Sequence, residues 1–269
     1  MTGDDRVAGV RRTTGVRRMT LWRLEILRVL RTRRWIALGA VYVGFGLLGP
    51  LGAKYLAQIL KYAGTGADGI TVTFPPPVPA DGMAQYVDNA LQVGTIVEVV
   101  VVAGALAFDA IPEMGVFLRT RVTNVWDILI PRLVVSFALC AGAFVLGTAT
   151  AWYETWALLG PLSASAVGWG TLLGILFCAF LVALVAAVAQ WTKGVLGTVL
   201  TSLVVLIVLP ILGIVHAIQI WLPTRLGGAL TELTAGTPGS DFWRSALTAV
   251  LATAGLLAVA AWGARRREI

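Results

Sequence analysis

The chain has 269 residues, of which 58% are hydrophobic and only 13% charged, with a mean hydropathy of +0.83. That composition excludes an ordinary water-soluble domain and predicts an all-α polytopic membrane protein. The net charge of +7 and isoelectric point near 10.0 would suit nucleic acid, but the basic residues flank apolar runs where anionic inner-leaflet lipid would meet them. Membrane lipid, and no nucleic acid, is the partner expected from the charge.

Residues 1–18 are polar, arginine-rich and without periodicity, and read as a disordered basic tail. Patterned sequence begins at Met19, which makes Met19 an alternative start to Met1; the mass of the natively expressed protein decides between them. Residues 19–269 form the predicted transmembrane domain. Its first element, "MTLWRLEILRVLRTRR", places Trp22, Ile26, Val29 and Leu30 on one helical face. Glu25, Arg28, Arg31 and Thr32 gather on the other, predicting an N-terminal helix lying in the interface. Arg23 interrupts the apolar face and can snorkel to the headgroups.

Six windows are long and apolar enough to cross about 30 Å of hydrocarbon. They run from Trp35 to Ala53, Val93 to Phe108, Leu133 to Trp152, Ala166 to Ala189, Val195 to Trp221 and Ser245 to Gly263. The second is short and is extended backward through Asn89. Pro210 near the middle of the fifth predicts a kinked or broken helix. A membrane barrel would need alternating polarity, which "LVVSFALCAGAFVLGTATAW" lacks. Residues 54–92 are expected to be an external loop, its "FPPPVPADG" run extended and free of regular helix. No small-x-small cleavage site follows the first span, which is therefore expected to stay as an anchor.

Basic residues favour the cytoplasmic side. With the amino terminus inside, only Lys54, Lys61, Arg225 and Arg244 among the 21 lysines and arginines fall outside. Both termini are thus expected in the cytoplasm, with the chain multi-pass in the cell membrane.

Polar chemistry is sparse. His216 is the only histidine, and it has no companion cysteine or histidine at metal-ligand spacing. Cys140 and Cys178 read as small buried apolar residues. The pattern Gly-x4-Gly-Lys-Ser/Thr is absent, so the chain has no P-loop of its own. Glu98, in "GTIVEVVVV", is the one carboxylate well inside a span. Two readings of it stand level: a site for proton or cation coupling, or an acid some two turns from the external end that reaches water or a neighbouring donor. Trp152, Tyr153, Trp156, Trp169 and Trp221 fall at span ends, as an interfacial belt does. Gly170 and Gly174 have the spacing that lets helices approach closely.

Between spans two and three, "DAIPEMGVFLRTRVTNVWD" interrupts the apolar chain with charge. Met114, Phe117 and Leu118 alternate with Glu113, Arg119 and Arg121, which suits either a solvated loop or a short helix that a soluble partner grips. Here the chain resembles the ABC type-2 permease family, the membrane subunits of exporters. The resemblance rests on the amphipathic helix before span one, six spans with both ends inside, Glu113 and Gly115, Leu118, "TRVTN" from Thr120 to Asn124, "PR" at Pro131 and Arg132, and the closing "RRREI". In that family the loop typically reads acid, x, Gly, then Leu, then Thr-Pro-Val-Ser-Arg; here Arg121 stands in place of proline and Asn124 in place of arginine.

The resemblance implies that Glu113, Gly115, Leu118, Arg119, Thr120, Arg121, Val122, Thr123 and Asn124 belong to a coupling helix seated in a separate ATP-binding-cassette ATPase subunit. It further implies ATP and Mg on that partner and no catalytic residue, cofactor or metal on this chain. A second permease completes the transporter, as a homodimer or heterodimer. The function implied is that of the membrane-spanning permease subunit of an ATP-driven exporter. Two other readings remain beside it: an ion-coupled secondary transporter or channel using Glu98, and a non-transporting membrane accessory subunit.

Overall fold

In hydrocarbon every backbone N–H and C=O must be satisfied within its own segment, which leaves a long apolar run the helix as its structure. The computed structural model describes residues 22–63, 76–106, 126–192 and 194–266, and among them there is no strand. Six helical stretches are long and apolar enough to span a membrane, so the chain is an all-α polytopic membrane protein. The proposed basic tail, residues 1–18, lies outside the described residues.

An N-terminal helix, α1, covers residues 22–31. Arg33 then adopts a left-handed φ of 53°, a conformation uncommon outside glycine that ends helices and turns the chain. The first span is α2 (Arg34–Ala63). The second consists of α3 (Pro79–Asn89), a π-helical turn (Ala90–Gly94) and α4 (Thr95–Leu106) in unbroken succession. The third, fourth and fifth are α5 (Trp126–Leu158), α6 (Ala164–Ala189) and α7 (Gly194–Leu212). After α7 come a short helix α8 (His216–Gln219), a 3-10 turn (Pro223–Gly228), α9 (Ala229–Thr234) and a second 3-10 turn (Gly239–Phe242). The sixth span is α10 (Trp243–Arg266).

Two expectations are corrected. The external loop expected over 54–92 is helical at both ends, because α2 runs on to Ala63 and α3 begins at Pro79. Proline is tolerated in a first helical turn, where its missing N–H would have no partner in any case. Asp81 reinforces the start by accepting the Val78 N–H at 2.8 Å. Gly82, Met83, Tyr86 and Val87 then fall on one buried face, so packing holds as helix a stretch whose prolines suggested an extended loop. The fifth span breaks, as Pro210 led one to expect, but it ends at Leu212 and not at Trp221. The Gly213 N–H turns back to the Pro210 carbonyl at 2.9 Å.

The segment after the break folds back into the bundle. Leu226, Ala229 and Leu230 are fully buried and belong to the main core. Gly227 lies against Leu91 and Phe177, and Phe177 is halfway along α6, about 20 Å below its first residue at 1.5 Å per residue. Residues 213–242 therefore form a re-entrant hairpin with its apex near Gly227, between the fifth and sixth spans. Gly170 on α6 admits it: a Cβ there would meet the Leu230 Cα at 2.8 Å.

Close helix contact elsewhere also depends on glycine. A Cβ on Gly46 of α2 would stand 2.6 Å from the Gly147 carbonyl oxygen of α5, so these two helices meet backbone to backbone. At one end of the bundle the Arg34 guanidinium lies against Gly104, α1 touches the start of α5, and Trp191 and Trp262 stack at 6.0 Å. The start of α2 and the end of α10 thus share one end of the bundle, and the hairpin occupies the other.

Candidate functional site

Glu98 lies in the first turn of α4 and is 1% exposed. Two donors from other spans meet its carboxyl. One is the Tyr42 hydroxyl of α2, and the other is the Cys178 thiol of α6, with Sγ 3.7 Å from Oε1. One acid thus joins spans one, two and four. Glu98 takes part in none of the ion pairs between described residues.

The local chain is shaped for this meeting. A π turn adds one residue to a helix and rotates the remainder of that helix by about 100°, so the turn at Ala90–Gly94 sets the direction in which Glu98 points. Gly94 closes the turn and leaves room for the Tyr42 ring, since a Cβ there would come within 2.9 Å of Tyr42 Cζ. Tyr42 and Tyr86 pack on the same Phe144 ring, and the Tyr86 hydroxyl donates to the Phe144 carbonyl at 3.3 Å and lies 3.3 Å from Thr148 Oγ1.

Beside the two donors is a cavity of about 10 Å³, whose lining includes Tyr42, Thr95, Cys178, Leu91, Phe177 and Gly227. Its size suits a single water molecule. The apex of the re-entrant hairpin therefore closes a small, mostly apolar chamber, and both donors to Glu98, Tyr42 and Cys178, stand in its wall beside Thr95.

The hairpin is secured at its own end. Arg225 pairs with Glu232 at 2.9 Å, donates to the Asp241 carbonyl at 3.4 Å and lies 4.7 Å above the Phe242 ring centre. Arg244 lies beside the Trp221–Trp243 ring pair, 5.6 and 5.4 Å from their centres. The aromatic belt expected from the sequence is exposed at Trp152, Tyr153, Trp156, Trp169 and Trp221.

At the opposite end Glu25 of α1 pairs with Arg132 of α5, Oε2 to Nε at 3.5 Å, and both residues are 8% exposed. Arg28 adds a second contact to Glu25 at 3.5 Å. This corrects the polar face expected for α1. Spacing groups Glu25 with Arg28, Arg31 and Thr32, but Glu25 turns into the protein, while Leu24, Ile26, Leu27 and Leu30 remain exposed.

Of the residues that stand out in the sequence, Glu98 is the centre of the buried cluster. Cys140 and Cys178 are buried and free, yet Cys178 is a hydrogen-bond donor as well as filler. His216 is not within a span but opens α8. Glu113, Gly115, Leu118, Arg119, Thr120, Arg121, Val122, Thr123 and Asn124 lie outside the described residues, between α4 and α5. Tyr42 and the hairpin apex are visible only in the fold. A tyrosine in an apolar span is a weak sequence signal, and the chain folding back at Gly227 has none. Among the described residues no group of three or more His, Cys, Asp or Glu side chains is placed to hold a metal. No family model matches the chain, and neither the curated proteins nor the solved structures contain a match.

Proposed function

We infer that the chain is the membrane-spanning permease subunit of an ATP-driven exporter and works with a separate ATP-binding subunit. The observation that carries this reading is the buried Glu25–Arg132 pair. It fastens the interfacial helix α1 to the second turn of α5, close to where the chain leaves the charged segment 107–125. A force applied by a soluble partner to that segment reaches α5 directly and α1 through the ion pair, and α1 leads through Arg33 into the first span. Rigid elements joined this way convert a local push into the tilt of whole helices.

The break after Pro210 supports the same reading from the other end. A hairpin of short helices seated in the bundle is a natural moving part, because it is held by a few buried leucines and one cluster around Arg225. The chain has no P-loop, so in this reading the partner holds ATP and Mg, and a second permease completes the pathway. The described end carrying α1 faces the cytoplasm.

The test begins with a protein bearing Walker A and B motifs encoded beside this chain. The reading expects it to co-purify with this chain and the reconstituted pair to hydrolyse ATP faster than the ATPase alone. Reversing charge at Arg119 and Arg121 should reduce that stimulation and leave membrane insertion intact. Full stimulation in the double variant would count against the coupling role of this segment.

A further inference from the structure

Among the described residues, the surroundings of Glu98 contain hydrogen donors but no base. The titratable groups around it are Tyr42 of α2, Tyr86 of α3, Cys140 of α5 and Cys178 of α6. All four are acids, so ionising any of them would add negative charge. The remaining helix packed on α4 is α7, and none of its residues is titratable. In water a carboxylic acid gives up its proton several pH units below a thiol or phenol. Glu98 is therefore the member of this cluster that can exchange a proton while its neighbours stay neutral.

A buried carboxylate without a cation is expensive in hydrocarbon. The bundle lowers that cost in two ways. Tyr42 and Cys178 are already hydrogen-bonded to the carboxyl, so no reorientation is needed when negative charge forms. The cavity beside them, about 10 Å³ and bordered by Thr95, has room for the water that would take the proton. Thr95 is three residues before Glu98 and on the same helical face. Gly227 closes the other side of the cavity, and a Cβ there would meet Leu91 Cδ2 at 2.6 Å. The acid adjoins its two donors, the donors line the water-sized chamber, and the hairpin apex at Gly227 closes it.

We propose that Glu98 is a proton-binding site, which exchanges with water on the hairpin side of the membrane when the apex at Gly227 lifts. In the closed bundle the carboxyl is protonated. On opening, its O–H bond breaks, the proton passes to a cavity water as hydronium, and the electron pair stays on the carboxylate between the Tyr42 and Cys178 donors. Closing reverses the step. The inference goes beyond the exporter reading and does not rest on it, since it concerns the chain alone.

The experiment is infrared spectroscopy of the purified full chain in lipid bilayers, with no nucleotide or partner required. The wild type should show a carboxylic-acid carbonyl band that is lost in Glu98→Gln, and Tyr42→Phe should shift its frequency by removing one hydrogen bond. Tyr42→Phe also secures the assignment if Glu98→Gln folds poorly. Raising pH should abolish the band while the helical amide signal persists. Joining the hairpin apex to the second span by a disulfide, through Leu91→Cys and Gly227→Cys, should slow transfer of deuterium to the carboxyl by about tenfold or more. Three outcomes would each overturn the proposal: no band assignable to Glu98, a band unchanged at every pH the fold survives, or deuterium exchange indifferent to the cross-link. A failure of ATP-driven export would touch none of these readouts.

Discussion

Glu25 shows how one residue's meaning depends on which face of its helix meets the protein. Spacing alone assigns Glu25, Arg28, Arg31 and Thr32 to one side of α1, but spacing does not say whether that side meets water or another helix. Here it meets α5, and the carboxylate is buried on Arg132. Breaking a buried ion pair costs about 3 kcal/mol, and Glu25→Ala takes this carboxylate away from Arg132. Glu25→Ala should therefore lower the unfolding midpoint of the purified protein in detergent far more than Arg28→Ala. Arg28 is half-exposed, and a solvent-screened pair contributes under about 1 kcal/mol. Combining Glu25→Ala with Arg132→Met should restore part of the loss. Equal midpoints for Glu25→Ala and Arg28→Ala would show that the pair does not hold α1 in place. Glu98 illustrates the complementary case, because an acid in "GTIVEVVVV" stands out from its neighbours, while its donors Tyr42 and Cys178 come from segments far away in the chain and carry no mark of the meeting.

Among the elements, the spans were legible because a run of apolar residues has a single outcome in hydrocarbon, whatever it later packs against. Their ends were less so. The start of α3 is fixed by the buried Met83, Tyr86 and Val87 side chains and by Gly82 meeting other helices, and that tertiary packing decides between helix and loop where the prolines alone would not. The hairpin was hidden for a related reason: "PTRLGGALTELT" is short and mixed in character, and only its fit against Gly170 and Phe177 makes it an interior element. Helix contacts at glycine give a sharp test. Gly46→Ala would place a methyl group 2.6 Å from the Gly147 carbonyl oxygen, whereas a Cβ on Gly44, one half-turn earlier in the same helix, meets nothing within 4 Å. Overpacking costs about 1 to 3 kcal/mol, while an unopposed Gly→Ala change within a helix gains up to about 1 kcal/mol. Gly46→Ala should lower the unfolding midpoint and Gly44→Ala leave it level or raise it. The same logic at Gly170 predicts that Gly170→Leu displaces the hairpin without unfolding α6, seen as faster amide exchange over residues 226–233 than over 178–189. Uniform exchange in both segments would mean that the hairpin is not a separate unit.

At the scale of the whole molecule, the two ends of the bundle differ in kind. One gathers Arg23, Arg28, Arg31, Arg33, Arg34 and Arg132 around α1 and the start of α5, while the other carries the hairpin, with Arg225 committed to Glu232 and Arg244 set against a pair of indole rings. Arginines of the first group include exposed ones beside the exposed leucines of α1, the arrangement that anionic headgroups attract. Translocation of such a cluster during insertion is disfavoured, so the arginine-rich end should face the cytoplasm and the hairpin the outside. Exposed positions at each end allow this to be measured in intact cells, because the native cysteines Cys140 and Cys178 are buried. A membrane-impermeant maleimide should modify Ser240→Cys on the hairpin and leave Arg31→Cys on α1 untouched until the membrane is opened. The reverse pattern would invert the molecule. It would then put the cavity beside the Glu98 donors on the cytoplasmic side and set the exporter reading against the arginine-rich end to which its ATPase must bind.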